Sequence, residues 1–158
     1  MDYDKVILAT GADQALALLE KPTSIENTLL SPWKYNRSPV ILHTDSSYFP
    51  DKNLWGLYTF LYTGSNNVFN TSMNGFVAEG VIGTQYPNFP IKEETIIVKK
   101  EFLTPIFDRN SVKTIGSLYK LNGEQNTYFC GSYFGYGLHE DAVRSAVEIA
   151  NLLGVDFS

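Results

Sequence analysis

The sequence predicts an α+β fold in which a largely antiparallel, mixed sheet is flanked by helices. Short segments with alternating apolar and polar residues follow one another through the middle of the 158-residue chain, and such runs predict consecutive strands. Near both ends of the chain, apolar residues recur at helical spacing instead. Strands that follow one another, with helices before and after them, are typical of α+β domains.

The N-terminal segment combines a strand pattern with a helix pattern. Residues 5–10, KVILAT, form a continuous apolar run, which predicts a strand buried on both faces. Gly11 ends this run, and the spacing that follows predicts a helix over residues 12–20. The side chains expected to face the core from this helix are Ala15, Leu16, Leu18 and Leu19.

A second helix is predicted over residues 25–30, where Ser24 can act as its N-cap. The middle of the chain then alternates in a way that predicts strands. The segments concerned are residues 38–45, 54–63, 68–73, 80–85 and 95–103. We expect residues 80–85 at an edge of the sheet.

Aromatic residues are numerous in this chain, and we expect most of them in the core. Between residues 54 and 63 the alternation places Tyr58, Phe60 and Tyr62 on one face of a strand. The full set consists of Trp55, Tyr58, Phe60, Tyr62, Tyr128, Phe129, Tyr133, Phe134 and Tyr136.

The C-terminal segment carries the most informative pattern. A helix over residues 112–121 precedes a strand over 128–130, and a long amphipathic helix ends at Gly154, which can adopt the left-handed conformation. The apolar face of this last helix consists of Ala142, Val143, Ala146, Val147, Ile149, Ala150 and Leu153.

A glycine-rich turn through Gly131, Gly135 and Gly137 joins the last strand to the last helix. Glycines let a backbone approach a ligand, and a helix N-terminus offers free N–H groups to an anion or an electron-rich oxygen. The pattern is therefore compatible with a nucleotide site, while its simpler interpretation is a tight turn that docks the helix on the sheet.

Composition excludes several classes of function. The net charge of −5 disfavours nonspecific binding to nucleic acid and to acidic membranes, and no stretch reaches the ~20 apolar residues of a membrane span. The single cysteine, Cys130, cannot form an internal disulfide, and the N-terminus has no basic segment before an apolar one. These features predict a cytoplasmic protein.

Few residues have the chemistry of a catalytic or metal site. His43 lies in an apolar strand, where a buried, hydrogen-bonded imidazole is the usual interpretation and contact with a substrate the alternative. His139, Glu140 and Asp141 are consecutive, so their side chains diverge from a helix and no metal site is expected. Cys130 is expected to be a buried, inert thiol.

The segment CGSYFGYGLHEDAVRSAVEIA, residues 130–150, resembles the C-terminal motif of FAD-dependent amine oxidases and phytoene-desaturase-like flavoproteins. The bacterial branch described as predicted NAD/FAD-binding proteins is the most similar, with its C-G-x-x-x-G-x-G-x-H-E-D-x-x-x-S pattern. VILATGADQALALL at residues 6–19 and WKYNRSPVILHTD at residues 33–45 add to the resemblance. It implies that residues 1–158 are a single fragment, the C-terminal part of a larger flavoprotein whose N-terminal dinucleotide-binding fingerprint is absent here.

The resemblance also implies a division of the chain and a set of site residues. Residues 1–20 and 124–158 correspond to parts of an FAD-binding domain that lie together, and residues 21–123 to a substrate domain. The residues implied in FAD binding are Gly131, Ser132, Gly137, Leu138, His139 and Glu140. Those implied in binding a small-molecule substrate, an amine or a lipid-like compound, are Tyr133, Tyr136 and His43. No catalytic residue is implied, and Asp141 stands where amine oxidases usually have glycine.

Three functions remain open on the sequence alone. The first is the substrate and flavin-capping portion of an FAD-dependent oxidoreductase, inactive by itself. The second is a non-catalytic domain that binds a small ligand. The third is a partner subunit of a split flavoprotein, which would associate with the missing FAD-binding half, or with itself, through apolar surfaces of residues 6–19 and 138–153.

Overall fold

The computed structural model describes residues 3–47, 49, 51, 54–62, 67–72 and 79–155. The chain forms two compact units. Unit 1 consists of Met1–Asn36 and Pro105–Ser158, and unit 2 of Arg37–Thr104. The α+β class and an antiparallel main sheet are confirmed. The boundaries of the units differ from the predicted boundaries at 20/21 and 123/124, because two further helices of the chain belong to unit 1.

Unit 1 contains two short parallel strands and the four described α-helices. Strands β1 (Val6–Leu8) and β7 (Thr127–Phe129) pair in parallel, with Ile7 opposite Tyr128. The helices are α1 (Ala12–Leu18), α2 (Ser24–Leu30), α3 (Arg109–Thr114) and α4 (His139–Leu152). This pairing joins segments near the two ends of the chain within unit 1. The correspondence of residues 1–20 and 124–158 to an FAD-binding domain stays a prediction.

The main core of unit 1 lies among these helices and strand β7. Its buried residues are Ala12, Ala15, Leu29, Leu30, Trp33, Leu118, Leu121, Phe129 and Tyr133. A smaller cluster of Tyr128, Cys130 and Ile149 lies beneath α4. Cys130 is a buried free thiol, as predicted, and burial raises its pKa.

Strand β1 is not buried on both faces, which corrects the prediction for residues 5–10. Val6 and Ile7 are 43% and 49% exposed. The only described neighbour of β1 in its sheet is β7, so no second strand shields its outer edge. A continuous apolar run therefore predicts a strand here but does not predict that the strand is buried.

The first two helices begin and end close to their predicted positions. Thr23, rather than Ser24, is the N-cap of α2, and its side chain accepts a hydrogen bond from the backbone N–H of Glu26. Helix α1 is shorter than predicted, and Leu18 is exposed rather than inward. Ala15 is buried as predicted, together with Ala12, and Leu16 and Leu19 are partly buried against the core.

The predicted helix over residues 112–121 begins earlier and changes type. Asp108 caps α3 by accepting hydrogen bonds from the N–H groups of Asn110 and Ser111, and a 3₁₀ helix continues from Ile115 to Leu121. Two further single-turn 3₁₀ helices, Glu124–Asn126 and Ser132–Phe134, flank β7.

Helix α4 ends as predicted, with Gly154 in the left-handed conformation, but its buried face differs from the predicted one. The buried residues are Asp141, Ser145 and Ile149, one per turn, whereas Val143 is exposed. Two of the three are polar because this face meets the backbone of the glycine-rich turn.

Unit 2 contains most of a five-stranded antiparallel sheet, whose first strand begins and last strand ends a few residues outside the unit. Its strands are β2 (Lys34–His43), β3 (Tyr58–Tyr62), β4 (Asn67–Ser72), β5 (Ile82–Gln85) and β6 (Ile96–Ile106), in the order β3-β4-β5-β2-β6. Strand β5 therefore lies in the middle of the sheet, and its prediction as an edge strand is wrong. Positions 63 and 73 of the predicted strands lie outside the described residues.

The aromatic residues divide between core and surface, which corrects the prediction that most are buried. In β3 the alternation is as predicted, but Tyr58, Phe60 and Tyr62 form the outward face and are well exposed. Tyr136 is also exposed. Tyr128, Phe129 and Tyr133 are buried.

Candidate functional site

The glycine-rich turn between β7 and α4 is tightly folded by its own backbone. The N–H groups of Gly135 and Gly137 both donate to the carbonyl oxygen of Ser132, at 3.2 and 3.1 Å. Gly131 and Gly137 have positive φ angles of 154° and 86°. Residues other than glycine rarely adopt such angles. All the predicted FAD-binding residues lie on this turn or in the first turn of α4.

Asp141 closes this turn from the third position of α4. Its Oδ2 atom accepts hydrogen bonds from the N–H groups of Tyr136 and Leu138, at 2.8 and 3.1 Å, and its Oδ1 atom pairs with Arg144 at 2.8 Å. The hydrogen bonds from Leu138 and Tyr136 hold the pKa of this carboxyl below its ordinary value. A β-carbon on Gly135 would lie 2.0 Å from Oδ1, so the carboxylate occupies the space that the glycine leaves.

Ser145 fixes the other end of the turn. Its hydroxyl accepts a hydrogen bond from the N–H of Gly131 at 3.0 Å and lies 2.8 Å from the carbonyl oxygen of Ala142, to which it donates. Asp141 and Ser145 are one helical turn apart, so one face of α4 binds both ends of the turn. The sequence analysis missed this role, although two small polar residues spaced by four among apolar neighbours are a signal that could have found it.

The first turn of α4 keeps free hydrogen-bond donors. Among the described residues, no acceptor lies within hydrogen-bonding distance of the backbone N–H groups of His139 and Glu140. Both residues are exposed. The Asp141 carboxylate takes the N–H groups of Tyr136 and Leu138, so these two donors are not open to a ligand, whereas those of His139 and Glu140 are.

The two tyrosines predicted to contact a substrate have opposite surroundings. Tyr136 is 74% exposed and Tyr133 only 1%. The ring of Tyr133 packs edge-on against Trp33, at 5.7 Å between ring centres, and burial raises its pKa. Its hydroxyl has no hydrogen-bond partner among the described residues. Of the two, only Tyr136 presents its ring to solvent.

His43 belongs to unit 2, whereas the other predicted site residues all belong to unit 1. It is fully buried. Its Nδ1 atom accepts the N–H of Asp45 at 3.1 Å, so the proton of the neutral ring is on Nε2, 2.7 Å from the Thr84 hydroxyl oxygen. Thr84 in turn donates to Asn70 at 2.6 Å. These bonds make a buried polar network across β2, β5 and β4.

Burial and hydrogen bonding move the pKa values of His43 and Asp45 in known directions. Desolvation lowers the pKa of His43 below 6.5, and the opposing effect of the nearby Asp45 charge is smaller. Hydrogen bonds from Ser47, chiefly from its hydroxyl, and from the Lys92 N–H lower the pKa of Asp45 to about 2. The folded protein therefore favours a neutral imidazole next to an ionised carboxylate.

We expect the free energy of unfolding to fall as the pH is lowered below about 6.5, the ordinary pKa of histidine. Because the folded-state pKa of His43 is lowered, the unfolded chain takes up a proton in this range and the folded chain does not. The loss levels off once the pH is below the folded-state pKa. The stabilisation from Asp45 is present above 3.8 and is lost as the pH falls from 3.8 towards about 2.

Urea titrations at a series of pH values measure this dependence. His43→Gln should flatten the slope between neutral pH and about pH 5. An unchanged slope in His43→Gln would contradict the assignment.

Unit 1 also has a surface groove of about 470 Å³ at the C-terminal half of α4. The residues lining it are Tyr119, Asn122, Glu148, Asn151 and Leu152. The side-chain oxygen of Asn122 already accepts the N–H of Phe129 at 2.7 Å. The groove therefore offers amide and carboxylate groups beside apolar surface, at the opposite end of α4 from the free N–H groups.

No model of a known protein family matches the sequence, and no curated protein is recognisably similar to it. Within the part of the chain that the structure describes, no three His, Cys, Asp or Glu side chains gather as a metal site. None of the described helices is long and apolar enough to span a membrane.

Proposed function

We propose that this chain is the C-terminal portion of an FAD-dependent, amine oxidase-like oxidoreductase, in which it forms the substrate side and one wall of the flavin site. The observation that carries the proposal is the free pair of N–H donors at His139 and Glu140, presented by a turn that Asp141 and Ser145 hold rigid. The resemblance of residues 130–150 to the C-terminal motif of these flavoproteins supports it.

The donors suit the ring of a flavin better than its phosphates. The pyrimidine edge of the flavin ring carries carbonyl oxygens, which accept hydrogen bonds without a full negative charge. The Asp141 carboxylate already accepts the N–H groups of Tyr136 and Leu138, so these donors would not be available to a pyrophosphate. The pyrophosphate would be bound by the FAD-binding half of such an enzyme.

A bound flavin would supply the hydride acceptor: the substrate would lose a hydride from a C–H bond and a proton from the neighbouring atom, so that a C–N or C–C single bond becomes a double bond. The N–H groups of His139 and Glu140 would stabilise the negative charge that develops at its pyrimidine edge. Tyr136 would offer exposed aromatic surface to an amine or lipid-like substrate. The side chain of His139 has no required role, because only its backbone contributes.

We expect this chain by itself to bind flavin weakly and to be inactive, because the sequence contains no dinucleotide-binding fingerprint. The experiment is a titration of the ¹⁵N-labelled chain with riboflavin, which has the flavin ring but no phosphate. The backbone amide signals of His139 and Glu140 should shift. The side-chain amide signals of Asn122 and Asn151, in the groove, should not.

Two variants at one position separate the backbone from the side chain. His139→Pro removes the N–H and should weaken riboflavin binding about fivefold, whereas His139→Ala should bind as the wild type does. Proline is tolerated at the first helical position, and Leu138 has the extended conformation that proline requires before it. Shifts confined to Asn122 and Asn151 would instead favour a non-catalytic ligand-binding domain, and stoichiometric FAD in the purified chain would contradict weak binding.

A further inference from the structure

The groove at the C-terminal half of α4 has the size of a small-molecule site. Its volume is about 470 Å³, and pockets for small ligands usually measure roughly 300–1,000 Å³. Two elements of unit 1 form its walls. Helix α4 supplies Glu148, Asn151 and Leu152, while Tyr119 and Asn122 come from the end of the 3₁₀ helix that follows α3 and from the residue after it.

Glu148 gives the groove a negative charge that the described part of the chain does not balance. Its carboxylate has no ion-pair or hydrogen-bond partner among the described residues. It lies one turn before the C-terminal end of α4, where the helix dipole is negative, and the last turn of α4 contains no basic residue. The carboxylate and the helix end therefore both favour a cation.

The uncharged side chains of the groove offer polar and apolar contacts. Because the Oδ1 atom of Asn122 accepts the N–H of Phe129 at 2.7 Å, the N–H bonds of its amide nitrogen remain as donors. The ring of Tyr119 is 5.9 Å from the ammonium nitrogen of Lys120, so this ring already attracts a cation. Leu152 is 64% exposed and adds apolar surface.

We propose that this groove binds a small organic amine, with a protonated amino group, a short apolar or aromatic body and one oxygen atom. The ammonium group pairs with Glu148, the body contacts Tyr119 and Leu152, and the oxygen accepts a hydrogen bond from Asn122. The same charges disfavour an anionic ligand. The proposal does not rest on the flavin site, which lies at the opposite end of α4.

The probe is tyramine, which has an amino group, an aromatic ring and a hydroxyl group. Titrated into the ¹⁵N-labelled chain, it should shift the side-chain amide signals of Asn122 and Asn151, with a dissociation constant of about 1 mM, typical of a ligand with so few atoms. The control ligand is 3-(4-hydroxyphenyl)propionate, which keeps the ring and the hydroxyl group but carries a carboxylate. It should cause no shift at the same concentrations.

Two variants test the role of the charge. Glu148→Gln keeps the shape of the side chain and should weaken tyramine binding about fivefold, the effect of losing an exposed ion pair. Glu94→Gln makes the same change in net charge at an exposed residue that does not line the groove, and should bind tyramine as the wild type does. Unshifted Asn122 and Asn151 signals, equal binding of the propionate, an unchanged affinity in Glu148→Gln, or an equal loss in Glu94→Gln would overturn the proposal.

Discussion

Replacing Trp33 with alanine should lower the free energy of unfolding by roughly 3–5 kcal/mol, the usual cost of removing a buried tryptophan. Trp33 lies in the main core of unit 1 and is 2% exposed. Its indole N–H donates to the Thr114 hydroxyl at 3.0 Å, and its ring meets Phe107 edge-on at 5.5 Å between ring centres. The alanine variant would lose these contacts and leave a cavity that its neighbours only partly fill.

Urea unfolding monitored by circular dichroism measures the effect. The helical signal reports on unit 1, because the four described α-helices all belong to it. In the variant, Trp55 is the remaining tryptophan and lies in unit 2, so its fluorescence reports the other unit. The control Trp33→Phe keeps an aromatic ring and should lose less than half as much stability. A loss below about 1 kcal/mol in Trp33→Ala would contradict the burial of this side chain.

The local patterns of the sequence predict the elements of this fold well. That the three aromatic residues of β3 share one face follows from alternation alone, and the end of α4 follows from Gly154. These two features are determined by residues within a few positions of one another. The exposure of Val6 and Ile7 is determined instead by which strands lie beside β1 in the sheet.

At the candidate site, too, the local pattern is predicted from the sequence and the contacts with other elements are not. The glycine-rich turn was found from sequence because glycine spacing is a local signal. The partners of the turn are Asp141 and Ser145, and they lie on a helical face that apolar periodicity alone assigns to solvent. The burial of Thr84 and Asn70 next to His43 likewise depends on strand order, which places β5 in the middle of the sheet.

Replacing Asp141 with alanine should lower the melting temperature by roughly 5–10 °C. The N–H groups of Tyr136 and Leu138, which donate hydrogen bonds to its carboxylate, would lose a charged acceptor. The neighbouring Glu140→Ala is the matched control. It removes an acidic side chain from the same helical turn, but an exposed one, and should change the melting temperature by no more than about 1 °C. Asp141→Asn, which keeps an acceptor oxygen without the charge, should fall between the two.

The pH dependence identifies the carboxylate as the source of this stability. Since hydrogen bonding lowers the folded-state pKa of Asp141 below 3.8, its contribution is present above that value and is lost as the pH falls through the folded-state pKa. The difference in melting temperature between wild type and Asp141→Ala should therefore shrink in acid. A difference that is constant from pH 7 to pH 2 would show that the carboxylate charge is not involved.

Gly135→Ala should be as damaging as Asp141→Ala, because the turn has no space for the added side chain. A β-carbon on Gly135 would lie 2.0 Å from Oδ1 of Asp141. In the Asp141→Ala background this overlap disappears. The double variant should therefore be about as stable as Asp141→Ala alone, so that the two losses are far from additive.

The measurement is a double-mutant cycle: the melting temperatures of the wild type, the two single variants and the double variant are compared. Additive losses would mean that Gly135 and Asp141 act independently, which the geometry of the turn does not allow. A strong coupling would instead establish that the carboxylate fills the turn from within. In that case the N–H groups of Tyr136 and Leu138 are committed to the carboxylate and are not open to a ligand.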